Sequence, residues 1–285
     1  MSAGSAAIRR ATPELTGLGG RAAPLRDVDP ALAGREWRGV LSDIDDTLTR
    51  HGKLNPRAFD ALARLQARGR RVVLVTGRPA GWVDHIARMW PVDGVVGENG
   101  GLWSYMEGGK LRQGFLASAE ERRERRARLD ALAARILREV PGCALASDQP
   151  FRALDLAVDF CEDVPPLPSA AVEHIVALFE EAGAQAKVSS IHVNGWFGDW
   201  DKLTGCRRLL RDAFGLDLEG ERDSWVYFGD SANDEPMFAA FPCSVGVANV
   251  APFLPRMRSH PRWVASLEGG DGFVEGARAL GLIES

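Results

Sequence analysis

Short apolar runs recur along this chain, and each ends in small, acidic or hydroxyl residues. The first, around Gly39-Val40-Leu41, predicts a buried strand over 39–44 that leads into Asp43-Ile44-Asp45-Asp46-Thr47-Leu48-Thr49. Asn55-Pro56 marks the start of a helix whose apolar face is Phe59, Leu62, Ala63 and Leu65, ended by Gly69. Arg71-Val72-Val73-Leu74-Val75 predicts a second buried strand, ending in Thr76-Gly77-Arg78-Pro79. A helix over 80–90 and a strand at 94–96 follow, the latter ending in Gly97-Glu98-Asn99-Gly100-Gly101. Strand and helix alternate here as in a right-handed parallel series.

The alternation then stops. Residues 118–140 predict a long charged helix with an apolar stripe of Leu129, Leu132, Ala133, Ile136, Leu137 and Val140. Its arginines at 122, 123, 125, 126 and 128 interleave with Glu120, Glu121 and Glu124, which reads as a solvated face of i,i+4 pairs rather than a nucleic-acid patch. Strands at 143–147 and 153–160, a helix over 169–182 and a strand at 186–193 complete this stretch. The parallel pattern resumes with a helix over 202–214, a strand at 224–228 and a helix at 233–240. Strands at 243–247 and 263–265 and a closing helix at 272–281 end it.

These elements define an α/β fold: a doubly wound parallel-sheet core over 37–102 and 195–285, interrupted by an inserted α+β cap over 103–194. Residues 1–36, rich in Ala, Gly, Arg and Pro, read as a loose extension able to dock on the core. Length, 285 residues, is ample for such a core. A net charge of −4 exerts no broad pull toward nucleic acid or anionic membrane, and no apolar run is long enough to span a bilayer. Four scattered cysteines without a C-x-x-C pair read as free thiols, so the expected location is cytoplasmic.

The chemistry concentrates at strand ends. Asp43 and Asp45, two residues apart, point to the same side at the end of the first strand, where open α/β sheets bind ligands. Such a pair suits a nucleophile with a general acid/base; alone, it is equally an Asp-rich turn. Thr76 offers a hydroxyl to a phosphoryl oxygen, or else caps a strand end. Lys202 can neutralise a transferring phosphoryl group, or is a surface lysine. Asp230 and Asp234, in Gly229-Asp230-Ser231-Ala232-Asn233-Asp234, offer oxygen ligands for a hard cation such as Mg²⁺, or cap a turn.

Taken in order, these segments resemble the haloacid dehalogenase-like hydrolase superfamily. Asp43-Ile44-Asp45-Asp46-Thr47, Thr76, Lys202 and Gly229–Asp234 are similar to its four motifs. The insertion between the second and third resembles the type II caps of subfamily IIB phosphatases. Val75-Thr76-Gly77-Arg78-Pro79, Glu98-Asn99-Gly100 and Gly246-Val247-Ala248-Asn249 are similar to that subfamily too. One departure is Asp46, where the subfamily usually has Gly.

The resemblance implies a phosphatase for a small phosphate ester, a sugar or polyol phosphate. Asp43 attacks phosphorus, and Asp45, protonated at the outset, donates to the leaving alkoxide and then activates water. Mg²⁺ is implied on Asp43, the Asp45 carbonyl and Asp230, with Asp234 as direct or water-bridged supporter. Thr76, Gly77, Lys202 and Asn233 are the implied phosphate contacts. Arg78, Asn99, His192 and Asn194 are candidate substrate contacts. His192 and Asn194 share a strand face that suits either polyol recognition or simple hydration. Trp196 and Trp200 suit either sugar stacking or hinge packing. Mannosyl-phosphoglycerate, sucrose-phosphate and phosphoglycolate phosphatases are comparable likenesses. A phosphotransferase of the phosphomannomutase kind and a silent binding module are the competing functions.

Overall fold

A computed structural model describes residues 22–189 and 191–284. In chain order, β1 (Ala23–Pro24) precedes β2 (Gly39–Ser42). A tight hairpin of β3 (Thr49–Arg50) and β4 (Lys53–Leu54) leads into α1 (Pro56–Ala67). Then come β5 (Arg71–Val75), α2 (Ala80–Met89), β6 (Gly94–Gly97), β7 (Leu102–Glu107) and β8 (Lys110–Phe115). Next are α3 (Ala119–Glu139), β9 (Ala144–Leu145), β10 (Asp155–Asp159), α4 (Ser169–Glu181), β11 (Gln185–Val188) and β12 (His192–Trp196). The chain closes with α5 (Lys202–Phe214), α6 (Leu218–Glu221), β13 (Trp225–Gly229), α7 (Glu235–Ala240), β14 (Ser244–Gly246), β15 (Trp263–Val264) and α8 (Gly269–Ala279).

The larger sheet has nine strands in the order β1-β15-β14-β13-β2-β5-β6-β7-β8, parallel from β1 through β6. Its central strands are buried on both faces, which is why they read as unbroken apolar runs. Val40, Leu74, Val226 and Phe228 enter one core. Their neighbours Leu41, Val73, Val75, Trp225 and Tyr227 enter another on the opposite face. The chain leaves β2 toward β5 on one side, while β13 flanks it on the other. The carboxyl ends of these three strands therefore open into one crevice.

A second sheet, β11-β12-β10-β9, is antiparallel and carries α3 and α4 over its own apolar core of Leu129, Ile136, Val158, Ile175, Phe179 and Val193 among others. The capping box of Ser118 and Glu121 starts α3. The expected i,i+4 pair Glu121–Arg125 forms at 2.9 Å, whereas Leu137, placed inward by periodicity, is exposed.

Residues 22–36 dock on the core, as the reading of the extension allowed: β1 pairs with β15, and Leu25 and Leu32 are buried in the large core; residues 1–21 lie outside the described residues. Three expectations need correction. Residues 102–115 form the β7–β8 hairpin on the large sheet instead of opening the insertion, turned by Gly108 and Gly109 at φ 55° and 74°. The single strand expected over 186–193 is two, because the chain reverses between Val188 and His192, where the Ser189 amide donates to the His192 carbonyl at 2.8 Å. The helix expected at 233–240 begins as a 3₁₀ turn, Ala232–Asp234, before α7.

Candidate active site

The crevice at the ends of β2, β5 and β13 continues under the second sheet as a cavity of about 1010 Å³. Asp43, Asp45, Gly77, Arg78, Asn99, Lys202, Asp230 and Asn233 line it from the large-sheet side, and His192 and Asn194 from the other.

Lys202 is the first residue of α5, whose N-terminus is capped by Asp201 accepting from the Thr204 amide at 2.8 Å. Gly100, at φ 108°, lets the helix approach; a Cβ there would stand 1.9 Å from the Asp201 carbonyl oxygen. The lysine is thereby buried. Its Nζ lies 2.6 Å from Asp43 Oδ1 and 2.7 Å from Asp234 Oδ1. Burial opposes its charge, yet Asp234 and Asp43 hold its pKa above the ordinary lysine value.

Asp234 is fully committed. Oδ1 accepts from Lys202 and, at 2.6 Å, from the buried Tyr227 hydroxyl; Oδ2 accepts from the amides of Asp230 and Ser231 at 2.9 and 3.2 Å. Tyr227, which sequence reasoning passed over, is the one hydroxyl within an apolar strand run, Trp225-Val226-Tyr227-Phe228. Strand alternation aims it at α5 and α7.

Asp43, Asp230 and Asp234 offer three carboxylate oxygens within 4.8 Å of one another, all from buried residues. Burial pushes Asp43 up to about 8 against the pull of Lys202, with the charges of Asp234 and Asp45 adding to the rise. Burial, then Asp234 and Asp43, raise Asp230 well above the carboxylate range. Three acids around one lysine leave excess negative charge in a dry place. A hard divalent cation with oxygen ligands fits that donor set. Because the Asp234 oxygens are engaged elsewhere, Asp43 and Asp230 are the carboxylates available to it. The Thr47 hydroxyl steadies Asp230 Oδ1 at 3.3 Å.

Asp45 lies apart from this cluster. Arg78 grips it with Nε at 3.0 and 3.1 Å and Nη2 at 2.8 Å, and the Thr76 hydroxyl reaches Oδ2 at 3.4 Å. Both Asp45 oxygens thus face the Arg78 guanidinium in this conformation. Arg78 also stacks over Trp82 and approaches Asp148 and Glu162 of the other unit at 3.7 and 4.0 Å. Asp46 takes φ 57°, the left-handed region that glycine enters without a Cβ penalty. This accounts for glycine being usual there, while Asp is among the residues that tolerate it.

Two further contacts join the units, and neither was foreseen. Arg152 donates to the Gly77 carbonyl at 3.0 Å while held by Asp148 and Asp155. Buried Glu98 accepts from the amides of Ala80, Ala153, Leu154 and Asp155 at 2.6–3.0 Å. Burial and the charge of Asp155 push it up to about 7, against those donors. Asn99 is buried and its Nδ2 has no hydrogen-bond partner. His192 and Asn194 both face the cavity; His192 Nε2 stands 2.8 Å from Glu162 Oε2, and Asn194 Nδ2 donates to Asp155 at 3.1 Å. Trp196 and Trp200 are buried against each other, centroids 6.3 Å apart, and line no part of the cavity, which favours hinge packing over sugar stacking. Among the described residues, the four cysteines are free thiols and no helix is long and apolar enough to cross a membrane.

A family model described as haloacid dehalogenase-like hydrolase matches residues 40–119. A phosphoglycolate phosphatase of Methanoculleus marisnigri is 29% identical over 245 residues, covering 84% of this chain and 94% of its own length. Among solved structures, a Thermoplasma acidophilum protein superposes with a TM-score of 0.68 at 17% identity, over 87% of this chain and 100% of that one. The sucrose-phosphatase of Synechocystis, solved with sucrose and phosphate, superposes at 0.61 with 17% identity, over 86% and 98%. At such identities these superpositions speak to the fold, which the chain shares across both sheets.

Proposed function

We propose, from the premise that the chain belongs to the haloacid dehalogenase-like hydrolases, that it is a Mg²⁺-dependent phosphomonoesterase for a small sugar or polyol phosphate. The observation that carries this reading is the meeting of Asp43, Asp45, Thr76, Lys202 and Asp230 at three adjacent strand ends, with Lys202 Nζ buried 2.6 Å from Asp43. The M. marisnigri relative bears the name of a phosphatase, and the Synechocystis neighbour that of a sugar-phosphate phosphatase. Both support the reaction class, and they leave phosphoglycolate and sugar phosphates as rival substrates.

Asp43 attacks phosphorus in line with the ester oxygen, forming an aspartyl phosphate. Asp43, Asp230 and the Asp45 carbonyl would hold a Mg²⁺, which would supply charge screening for a weak carboxylate nucleophile. Lys202 neutralises a phosphoryl oxygen and keeps Asp43 aimed. Asp234 acts through Lys202, its Oδ1 accepting from both the lysine and the Tyr227 hydroxyl. Thr76 and the Gly77 amide, with Asn233 across the crevice, receive the phosphoryl oxygens. Asp45 leaves Arg78, protonates the departing alkoxide and then takes a proton from the attacking water. The second sheet and its helices act as a cap, tied to the core by Glu98 and Arg152, and His192 and Asn194 meet the leaving group.

The test is phosphate release from a panel of phosphomonoesters with Mg²⁺ and no acceptor sugar, using Asp43→Asn as the blank. Release that depends on Asp43 supports hydrolysis. No free phosphate, with the phosphoryl group transferred to an added acceptor sugar, would assign a phosphotransferase instead.

A further inference from the structure

The wall of the cavity opposite the strand ends is acidic, and its acid is built in. Asp159, buried at the end of β10, accepts from three successive amides, Cys161 at 2.9 Å, Glu162 at 2.7 Å and Asp163 at 2.8 Å. This nest fixes the backbone that projects Glu162 into the cavity. There Glu162 stands beside His192, with its side chain one-third exposed to the cavity's open space. Glu173 lines the same wall.

Positive charge near this wall is shared among several acids. Arg152 is held by Asp148 and Asp155; Arg78 comes within 4.0 Å of Glu162 but is gripped by Asp45 and also faces Asp148; Lys202 is engaged with Asp43 and Asp234. Arg256 is exposed and belongs to the large-sheet side. Burial lowers His192 below its ordinary value, so it presents a neutral ring at neutral pH. Phe160, Leu167, Val172, Val188 and Ile191 give the wall apolar surface, while His192, Ser189 and, from the large-sheet side, the buried Asn99 Nδ2, which has no protein partner, offer hydrogen bonds. A carboxylate placed beside Glu162 would meet repulsion in a partly desolvated space, whereas a hydroxyl would find an acceptor.

We propose that Glu162 selects substrates by charge: the alcohol released from phosphate is uncharged and hydroxyl-rich, and esters whose alcohol carries a carboxylate are rejected. This inference rests on the phosphatase reading and sharpens it, since it separates the two substrate classes which that reading left as rivals.

The experiment compares kcat/KM for glycerol 1-phosphate and a hexose 6-phosphate with that for 2-phosphoglycolate and 3-phosphoglycerate, in wild type, Glu162→Gln and Glu162→Lys. p-Nitrophenyl phosphate is run throughout to report an intact site. Wild type should favour the uncharged alcohols by about 10-fold or more, the scale of one like charge at close range in a partly screened site. Glu162→Gln should narrow that ratio by raising turnover of the carboxylated esters, and Glu162→Lys should invert it. A wild type that takes 2-phosphoglycolate as well as glycerol 1-phosphate, through Arg256 or otherwise, overturns charge selection and leaves the phosphatase reading standing. An unchanged ratio in both variants, with p-nitrophenyl phosphate turnover kept, removes Glu162 from the role. No turnover of any ester by wild type overturns both readings.

Discussion

Arg78 holds Asp45 with a two-pronged ion pair, Nη2 to Oδ1 at 2.8 Å and Nε to Oδ2 at 3.1 Å. The same guanidinium faces Asp148 and Glu162 of the cap. In the proposed reaction Asp45 delivers a proton only after leaving this grip, which places Arg78 between the arrangement seen and the one the reaction needs. Arg78→Lys keeps the charge but loses the fork. It should lower kcat/KM for a sugar phosphate by about 10–100-fold, the scale of about 1.4–3 kcal/mol for a charge-assisted contact. Steady-state kinetics check it; wild-type values would mean that the pair has no part in turnover.

The proposed metal requirement rests on the buried acids. Activity should vanish with EDTA and return with Mg²⁺, whereas Ca²⁺ should restore it poorly because it favours more ligands and looser geometry. Full activity after exhaustive chelation would contradict the assignment of Asp43 and Asp230 as ligands.

The same acids set a pH dependence for the metal-free protein. Burial pushes Asp43 from an ordinary 3.8 to about 8. A carboxyl raised on folding binds its proton more tightly in the folded state. Folding is therefore helped below the ordinary value, and that help is lost as pH rises toward the folded value. The metal-free melting temperature should fall between about pH 4 and pH 8, Asp43→Asn should flatten the decline, and Mg²⁺ should lift the midpoint more at pH 8 than at pH 6. At about 2–4 °C per kcal/mol the changes are measurable by thermal scanning. A Mg²⁺ shift equal at the two pH values would contradict it.

Glu98 offers a test of how the cap is fastened. Its two oxygens accept from Ala80 in the core and from Ala153, Leu154 and Asp155 in the cap. Glu98→Gln replaces one acceptor by an N–H₂ that faces donors, and should cost about 2–4 kcal/mol through buried groups left unpaired. Urea unfolding measures it; a loss under 0.5 kcal/mol, roughly the scatter of ordinary surface changes, would show that those amides find water instead.

Much of this was legible beforehand because the central strands are short apolar runs that stop at Asp43, Thr76 and Asp230, and parallel order then brings those ends together. Lys202 was legible by its place at a helix start. The roles of Arg78, Glu98 and Arg152 were not. Their partners lie across the interface between two units, as in Glu98 with Asp155 and Arg152 with Gly77, and local pattern carries no information on that juxtaposition. Residues 102–115 alternate too weakly to be recognised, and their Gly108-Gly109 turn was the unused signal. The reversal between Val188 and His192 was hidden because Ala186 and Val193 read as one continuous strand. Tyr227 was overlooked since a tyrosine in an apolar run reads as core, which its ring is; only its hydroxyl has chemistry.

The central claim is that Asp43 carries the phosphoryl group while Asp45 moves the proton. A nitrophenolate leaves without protonation, but hydrolysis of an aspartyl phosphate still needs a base. Loss of a general acid/base costs about 10²–10⁴ in rate. Rapid-quench mixing of Asp45→Asn with p-nitrophenyl phosphate, followed by mass spectrometry, separates the two steps. The predicted result is a burst of about one nitrophenolate per site, the stoichiometry of a covalent intermediate, then slow turnover with phosphate held on Asp43. Slow release from the first turnover, with no phosphate on Asp43, would contradict the account.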